Sequence, residues 1–263
     1  MLELRRAQTG RVRVIGHRGA MGHAPENTLP SFELGLRQGA DILELDVHLS
    51  RDGEVVVIHD ATLERTTDGR GYVRDHTLAE LKRLDARGQH GGTGAVARIP
   101  TFAEVLEWAQ GRVALAVEIK AAYARYPGIE AKVLDLLARH GMMANVVIIS
   151  FDHTNLAEVK RLEPGVAVGP LYLARPVDSV ALMRAARADI MRPNWAYVTE
   201  DEVRIAREND WAIAPWGATE RWMWEHLWTL GVDAMSANHP DRLVAALAEF
   251  QGRQPRPALE EGA

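Results

Sequence analysis

"VIGHRGAMGHAPENTLPSFELGLRQGADILELDVHLSRDGEVVVIHD", Val14 to Asp60, decides how the rest of the chain is read. It opens on a β-branched run, crosses a turn-rich loop into a helical pattern, and returns to a second apolar run, "DILELDV" (41–47). Strand, helix, strand in this order is the unit of a parallel sheet with crossover helices. His17, Glu44, Asp46 and His59 each stand where an apolar run gives out. A carboxylate so placed costs desolvation unless it is paired or holds a cation.

The same alternation runs outward from this stretch. Strand-like runs are "RVRVIG" (11–16), "DILELDV" (41–47), "VALAVEI" (113–119), "NVVIIS" (145–150), "VAVGPLY" (166–172), "ADIMRP" (188–193), "WAIAPW" (211–216) and "VDAMSA" (232–237). Helical patterns fill the intervals. The fold class expected is α/β, an eight-stranded (β/α)8 TIM barrel. A doubly wound open sheet competes, but no Gly-rich nucleotide fingerprint supports it.

A further run, "EVVVIH" (54–59), follows strand two with no room for a helix. Asp52-Gly53 is a preferred two-residue hairpin turn, and such a turn pairs residues whose numbers sum to 105. Asp46 would then face His59. Residues from about 61 to 99 read as a small subdomain inserted after the hairpin. Residues 1–250 are expected to form one domain, and 251–263 a disordered tail.

The chain has 263 residues, a net charge of -5 and no cysteine. Disulfides, thiolate ligands and cysteine nucleophiles are excluded. No broad basic surface advertises nucleic acid. The N-terminus shows no apolar signal region, and no run approaches a membrane span. A cytoplasmic protein without stable membrane insertion is expected.

Side chains two apart on a strand share a face, so Glu44 pairs with Asp46 and Glu118 with Lys120. In a parallel barrel the C-terminal strand ends gather at one rim. Three acids converging there repel one another unless a cation neutralises them. An all-oxygen set of Glu44, Asp46 and Glu118 suits one hard divalent cation, Mg²⁺ or Ca²⁺. Alone, each acid reads as an ordinary strand end; the two i, i+2 pairs favour a site. Arg18 can grip a phosphate bidentately and Lys120 adds a second positive charge. His17 and His59, flanking a phosphate, are suited to acid–base work. Glu26 and Asn27 lie on the first rim loop as supports for His17 or the cation, with Asn27 or Thr28 capping the next helix. Trp216 would end the seventh barrel strand and wall the site. Trp211, Trp222, Trp224 and Trp228 read as packing residues, and the other eight histidines carry no assigned role.

These motifs resemble the glycerophosphodiester phosphodiesterases, a family built on a TIM barrel with an inserted subdomain. The matching pieces are His17-Arg18-Gly19, Pro25-Glu26-Asn27-Thr28, Glu44-Leu45-Asp46-Val47, Asp52-Gly53, His59-Asp60, Glu118-Ile119-Lys120, Ser150-Phe151-Asp152 and Trp216, in family order. The resemblance implies cation binding by Glu44, Asp46 and Glu118, an acid–base pair of His17 and His59, and phosphate contacts from Arg18 and Lys120. It implies hydrolysis of a small-molecule glycerophosphodiester to sn-glycerol 3-phosphate and an alcohol such as choline or ethanolamine. Two stretches depart from it. Trp216-Gly217-Ala218-Thr219 stands where the family reads Trp-Thr-Val-Asn, and Ala237-Asn238-His239-Pro240 where it reads Thr-Asp-x-Pro. The second removes a charge at the rim, and both bear on headgroup choice. Lysophospholipase D or another phospholipase-C-like activity on lipids, and a non-catalytic phosphodiester-binding barrel, are the alternatives.

Overall fold

The computed structural model describes residues 2–90, 96–120 and 126–252. The barrel strands are β1 (Arg13–Gly16), β2 (Ile42–Leu49), β4 (Ala114–Ile119), β5 (Val146–Ser150), β6 (Ala167–Tyr172), β7 (Ile190–Pro193), β8 (Ala212–Ile213) and β9 (Ala234–Ala237); β3 (Val55–Val57) is the return arm of a hairpin on β2. The path β8-β7-β6-β5-β4-β2-β1-β9 is parallel throughout. Its two ends meet where the Asp233 amide donates to the Ile213 carbonyl (2.9 Å) and the Ile213 amide to the Asp233 carboxylate (2.8 Å). The result is a nearly closed (β/α)8 barrel, as the alternation predicts.

The longer helices, one after each barrel strand, are α1 (Leu29–Arg37), α2 (Phe102–Ala109), α3 (Ile129–Arg139), α4 (His153–Leu162), α5 (Ser179–Ala185), α6 (Glu200–Glu208), α7 (Arg221–Leu230) and α8 (Pro240–Gln251). Side-chain caps start several of them. Thr28 caps α1, and Thr101 and Glu104 form a reciprocal capping box on α2. The strands are buried on both faces, and the two faces divide by parity. Leu43, Leu45, Val117, Ile148, Val168 and Met191 meet the helices. Ile15, Ile42, Ala116, Val147, Ala167, Ile190, Ala212 and Ala234 fill the barrel interior. Continuing the interior set by two residues per step leads to the C-terminal rim, which is where the polar residues begin.

The hairpin differs from its expected register. Val47 pairs with Val57 and Leu49 with Val55, so partners sum to one less than anticipated. The Ser50 amide donates to the Glu54 carbonyl (2.9 Å), leaving a three-residue loop of Arg51, Asp52 and Gly53. A two-residue type I′ turn needs a positive φ at both central residues, but of these only Gly53 (φ 81°) has one. Asp52 accepts instead from the Ser50 hydroxyl (2.6 Å) and the Leu78 amide (2.9 Å). Asp46 therefore lies opposite Ile58, not His59; the Ile58 amide donates to the Asp46 carbonyl (3.0 Å).

After the hairpin, Leu63, Val73, Leu81, Ala86 and Ile99 pack with Val56 and Ile58 into a small core of their own. Residues 91–95 of the Gly-rich stretch and 253–263 of the tail expected over 251–263 lie outside the described residues; the first residue of that tail, Gln251, instead ends α8. Among the described residues, no helix is long and apolar enough to cross a membrane.

Candidate active site

The β2–β4 register sets Asp46 beside Glu118 and Glu44 beside Ala116. Glu44, Asp46 and Glu118 each turn a carboxylate oxygen into one cluster, with the three atoms within 4.8 Å of one another. All three residues are buried. Two cations flank them. Lys120 Nζ donates to Glu118 Oε1 (2.8 Å) and lies 3.3 Å from Asp46 Oδ1. The Arg18 amide donates to Glu44 Oε2 (2.9 Å), and its guanidinium lies 3.4 Å from Asp46 Oδ2. Asn27, with φ at 58°, donates its amide to Asp46 Oδ2 (2.8 Å) and accepts from the Asp46 backbone amide (3.2 Å). Its neighbour Thr28 takes the cap role.

The electrostatics divide these acids. Burial, reinforced by Asp46, pushes Glu44 up to about 8. Burial also pushes Glu118 up to about 7 despite Lys120. Burial acts on Asp46 too, but Lys120, Arg18 and His59 together outweigh it and hold Asp46 well below the ordinary carboxylate range. Asp46 is thus the acid that the protein's own charges hold ionised, while Glu44 and Glu118 lie in an environment that opposes their charge. An oxygen donor set short of positive charge, converging in a buried rim, fits a hard divalent cation.

The imidazoles stand on either side. His17 Nδ1 donates to Asn238 Oδ1 (2.6 Å), and its Nε2 lies 4.0 Å from Glu44 Oε2. Burial, then Arg18, pushes it down to about 4. His59 Nδ1 donates to Asp60 Oδ1 (2.6 Å). Its carbonyl accepts from His48 Nε2 (3.0 Å), and His48 Nδ1 pairs with the Tyr126 hydroxyl (2.8 Å). Burial lowers His59 as well, against the pull of Asp46.

Glu26 lies on Arg18 Nη1 (2.8 Å) and on Arg65 (2.7 and 2.8 Å) rather than on His17. Arg65 belongs to the inserted segment and also grips Asp60 (2.6 and 3.0 Å). One guanidinium thus braces the partners of both Arg18 and His59.

His17, Arg18, Glu44, His59, Glu118, Lys120 and Trp216 line one cavity of about 220 Å³; Asp46 sits beneath it. Trp216 donates its indole N–H to the Arg192 carbonyl (3.0 Å) and packs edge-on against Phe151 (5.3 Å between ring centroids). Arg192 and Asn238 also line the cavity. Arg192 is fully buried, donates to the Ala214 carbonyl (2.7 Å), and faces the charges of Glu44 and Glu118. A Cβ on Gly169 would lie 2.9 Å from its Cγ, so the glycine makes room for its stem. Motif reading passes over Arg192 and Arg65, while Asn238 and Asp60 stand in noted stretches without the roles they take here, as partners of His17 and His59. Arg192 and Asn238 follow the interior parity of β7 and β9, a signal present in the sequence. Of the other tryptophans, Trp224 and Trp228 are buried, whereas Trp222 is exposed and stacks edge-on against Trp195.

Comparison with known proteins decides what this rim belongs to. The profile of the Glycerophosphoryl diester phosphodiesterase family matches residues 17–242. The chain belongs to this family. It is a phosphodiesterase on a TIM barrel. A glycerophosphodiester phosphodiesterase of Caldanaerobacter subterraneus is 36% identical over 232 residues, 88% of this chain and 96% of its own. One of Bacillus altitudinis is also 36% identical, over 91% of this chain and 99% of its own. Among solved structures, a phosphodiesterase of Oleispira antarctica in complex with the product sn-glycerol-3-phosphate superposes with a TM-score of 0.82 at 29% identity, covering 92% of this chain and 99% of that one. A glycerophosphodiester phosphodiesterase of Agrobacterium tumefaciens gives a TM-score of 0.77 at 29% identity, covering 89% and 99%.

Proposed function

We propose that this protein hydrolyses small glycerophosphodiesters to sn-glycerol 3-phosphate and an alcohol such as choline, ethanolamine or glycerol. The observation that carries the reading is the meeting of three carboxylates, two imidazoles and the cations Arg18 and Lys120 at one barrel rim. Glu44, Asp46 and Glu118 would hold one divalent cation, Mg²⁺ or Ca²⁺. When bound there, such an ion supplies Lewis acidity to a phosphate oxygen and lowers the pKa of a neighbouring hydroxyl.

The chain's own residues do the rest. Arg18 and Lys120 neutralise the phosphate and hold it at the rim. His17 carries its Nδ1 proton toward a neutral amide, so its Nε2 lone pair faces the cavity. That imidazole is neutral at physiological pH and suited to take the proton of the attacking hydroxyl, from the glycerol or from water. His59 has a carboxylate at its back, which stabilises the imidazolium. It is the better donor to the leaving alcohol oxygen. As the P–O bond to the alcohol breaks, one proton enters at His17 and one leaves from His59. A cytoplasmic setting and a single domain over residues 1–250 accompany this reading.

The test is a panel of glycerophosphodiesters run with Mg²⁺, Ca²⁺ and Mn²⁺ and scored for sn-glycerol 3-phosphate. No release with any substrate and ion pair would refute it. Phe151 and Leu173, which follow β5 and β6 directly, are exposed apolar residues at the same rim. They favour a second reading in which a lysophospholipid serves as substrate. Release of choline from lysophosphatidylcholine at a rate exceeding that from glycerophosphocholine would select it.

A further inference from the structure

Two further histidines and an acid meet away from the carboxylate cluster. His23 lies on the loop between β1 and α1; His239 and Asp241 lie at the turn from β9 into α8. His239 Nδ1 is 3.1 Å from His23 Nε2, and His23 Nε2 is 3.2 Å from Asp241 Oδ1. The rings meet edge-on with centroids 4.5 Å apart. One ligating atom from each of the three residues falls within 4.8 Å of the others.

Hydrogen bonding accounts poorly for this arrangement. His23 Nε2 faces both a nitrogen and a carboxylate oxygen, yet an imidazole nitrogen carries at most one proton. A shared metal ion would satisfy all three groups together. Zinc bonds of about 2.0–2.2 Å in a tetrahedron place neighbouring ligand atoms about 3.3–3.5 Å apart, close to the two separations seen.

The backbone is shaped to hold this geometry. A Cβ on Gly22 would lie 2.1 to 2.5 Å from three atoms of the His239 ring, so only a glycine lets the ring press so close. The Gly22 amide donates to the Asn238 carbonyl (2.9 Å), tying the two loops together. Arg242 opposes a cation; the Asp241 carboxylate offsets it.

We propose that His23, His239 and Asp241 form a second metal site, of the zinc class, chemically distinct from the all-oxygen cluster of Glu44, Asp46 and Glu118. Two imidazoles and one carboxylate match the donors zinc prefers and that magnesium and calcium do not. The exposure of His23 and Asp241 leaves a ligand position open to solvent.

The experiment counts metal and needs no substrate, so it stands or falls separately from the phosphodiesterase reading. Chelator-stripped protein is incubated with excess Mg²⁺, titrated with Zn²⁺, desalted and assayed by atomic absorption. The expected result is one retained Zn²⁺ per chain in the wild type and in Asp46→Asn. His23→Gln and His239→Gln should each weaken retention by about tenfold or more. Co²⁺ should give strong visible absorption in the Mg²⁺-loaded wild type, and this should vanish in the doubly substituted protein. Equal Zn²⁺ retention by wild type and the double variant, with both folded by circular dichroism, would overturn the proposal. Loss of Zn²⁺ from Asp46→Asn with the histidines intact would overturn it too.

Discussion

Replacing Arg65 with methionine keeps the side chain's apolar stem and removes four contacts at once. Two go to Glu26, at 2.7 and 2.8 Å, and two to Asp60, at 2.6 and 3.0 Å. The stability lost is modest, because the Arg65 side chain is 46% exposed and solvent screens it. The two carboxylates are better covered, at 9% and 26%, and the contacts are bidentate, so about 1–2 kcal/mol is reasonable. For a chain of this size that corresponds to about 2–8 °C in Tm. The catalytic cost should be larger. Glu26 holds Arg18 and Asp60 holds His59, so one deletion loosens both the phosphate grip and an imidazole. A displacement of about 1 Å at a reacting group costs about 10²-fold. The expected outcome is a fall of about 10²-fold in kcat/KM, divided between a higher KM through Arg18 and a lower kcat through His59. Steady-state kinetics well below the variant's Tm would read both. Arg65→Lys can satisfy one carboxylate but cannot fork across two, so it should recover part of the loss. Unchanged kcat and KM in Arg65→Met, with only Tm lowered, would show that Arg65 braces the fold and not the site.

Other expectations follow from the same geometry. His17→Ala and His59→Ala should each lose about 10²- to 10⁴-fold in turnover; folded variants at full activity would dismiss the acid–base pair. In the chelated protein, Glu44 near 8 and Glu118 near 7 stand above their ordinary value of 4.5, so the folded form binds the extra protons. Their stabilisation is complete below about pH 4.5 and is lost as pH rises through 7 and 8, so the Tm gained on adding Mg²⁺ or Ca²⁺ should widen over that window; a gain constant with pH in calorimetry would count against cation binding there. Arg192→Met should lower kcat/KM by about tenfold or more if that buried guanidinium faces the substrate anion, and kinetics equal to wild type would remove it from the site. Gly169→Ala should destabilise by about 1–3 kcal/mol in denaturant melts, since the new methyl meets the Arg192 stem and the Ile190 carbonyl, both at 2.9 Å.

The barrel could be read in the sequence because its strands are buried on both faces and so appear as continuous apolar runs. Seven of the eight runs contain an observed barrel strand, and the eighth, 41–47, holds all of β2 but its last two residues, His48 and Leu49. The rim could be read because parity persists along a strand: Ile42, Glu44 and Asp46 share a face, as do Ala116, Glu118 and Lys120. The same rule extends Ile190 to Arg192 and Ser236 to Asn238. Arg192 was legible but unmarked, since one Arg after an apolar run has no partner in sequence; Asn238 was marked only as a departure from the family pattern, and its bond to His17 had no sequence signal. Arg65 was not legible at all. It reaches Glu26 from 39 residues away, across a folded insertion whose path no local pattern encodes.

The hairpin shows how a residue can reach its site by a different route from the expected one. With a two-residue turn, His59 would pair with Asp46 and share its face. In the observed register, a strand continued for two more residues would carry His59 on the opposite face, because a one-residue slip reverses every side chain. The imidazole nevertheless lines the cavity. The strand stops at Val57, the chain bends, and three side chains fix the bend. His48, itself supported by Tyr126, binds the His59 carbonyl; Asp60 binds its ring; Arg65 anchors Asp60. The position of His59 is therefore set by loop contacts rather than by strand pairing. It follows that substitutions at His48 or Arg65 should displace this imidazole, while those that merely weaken the β2–β3 ladder should leave it in place.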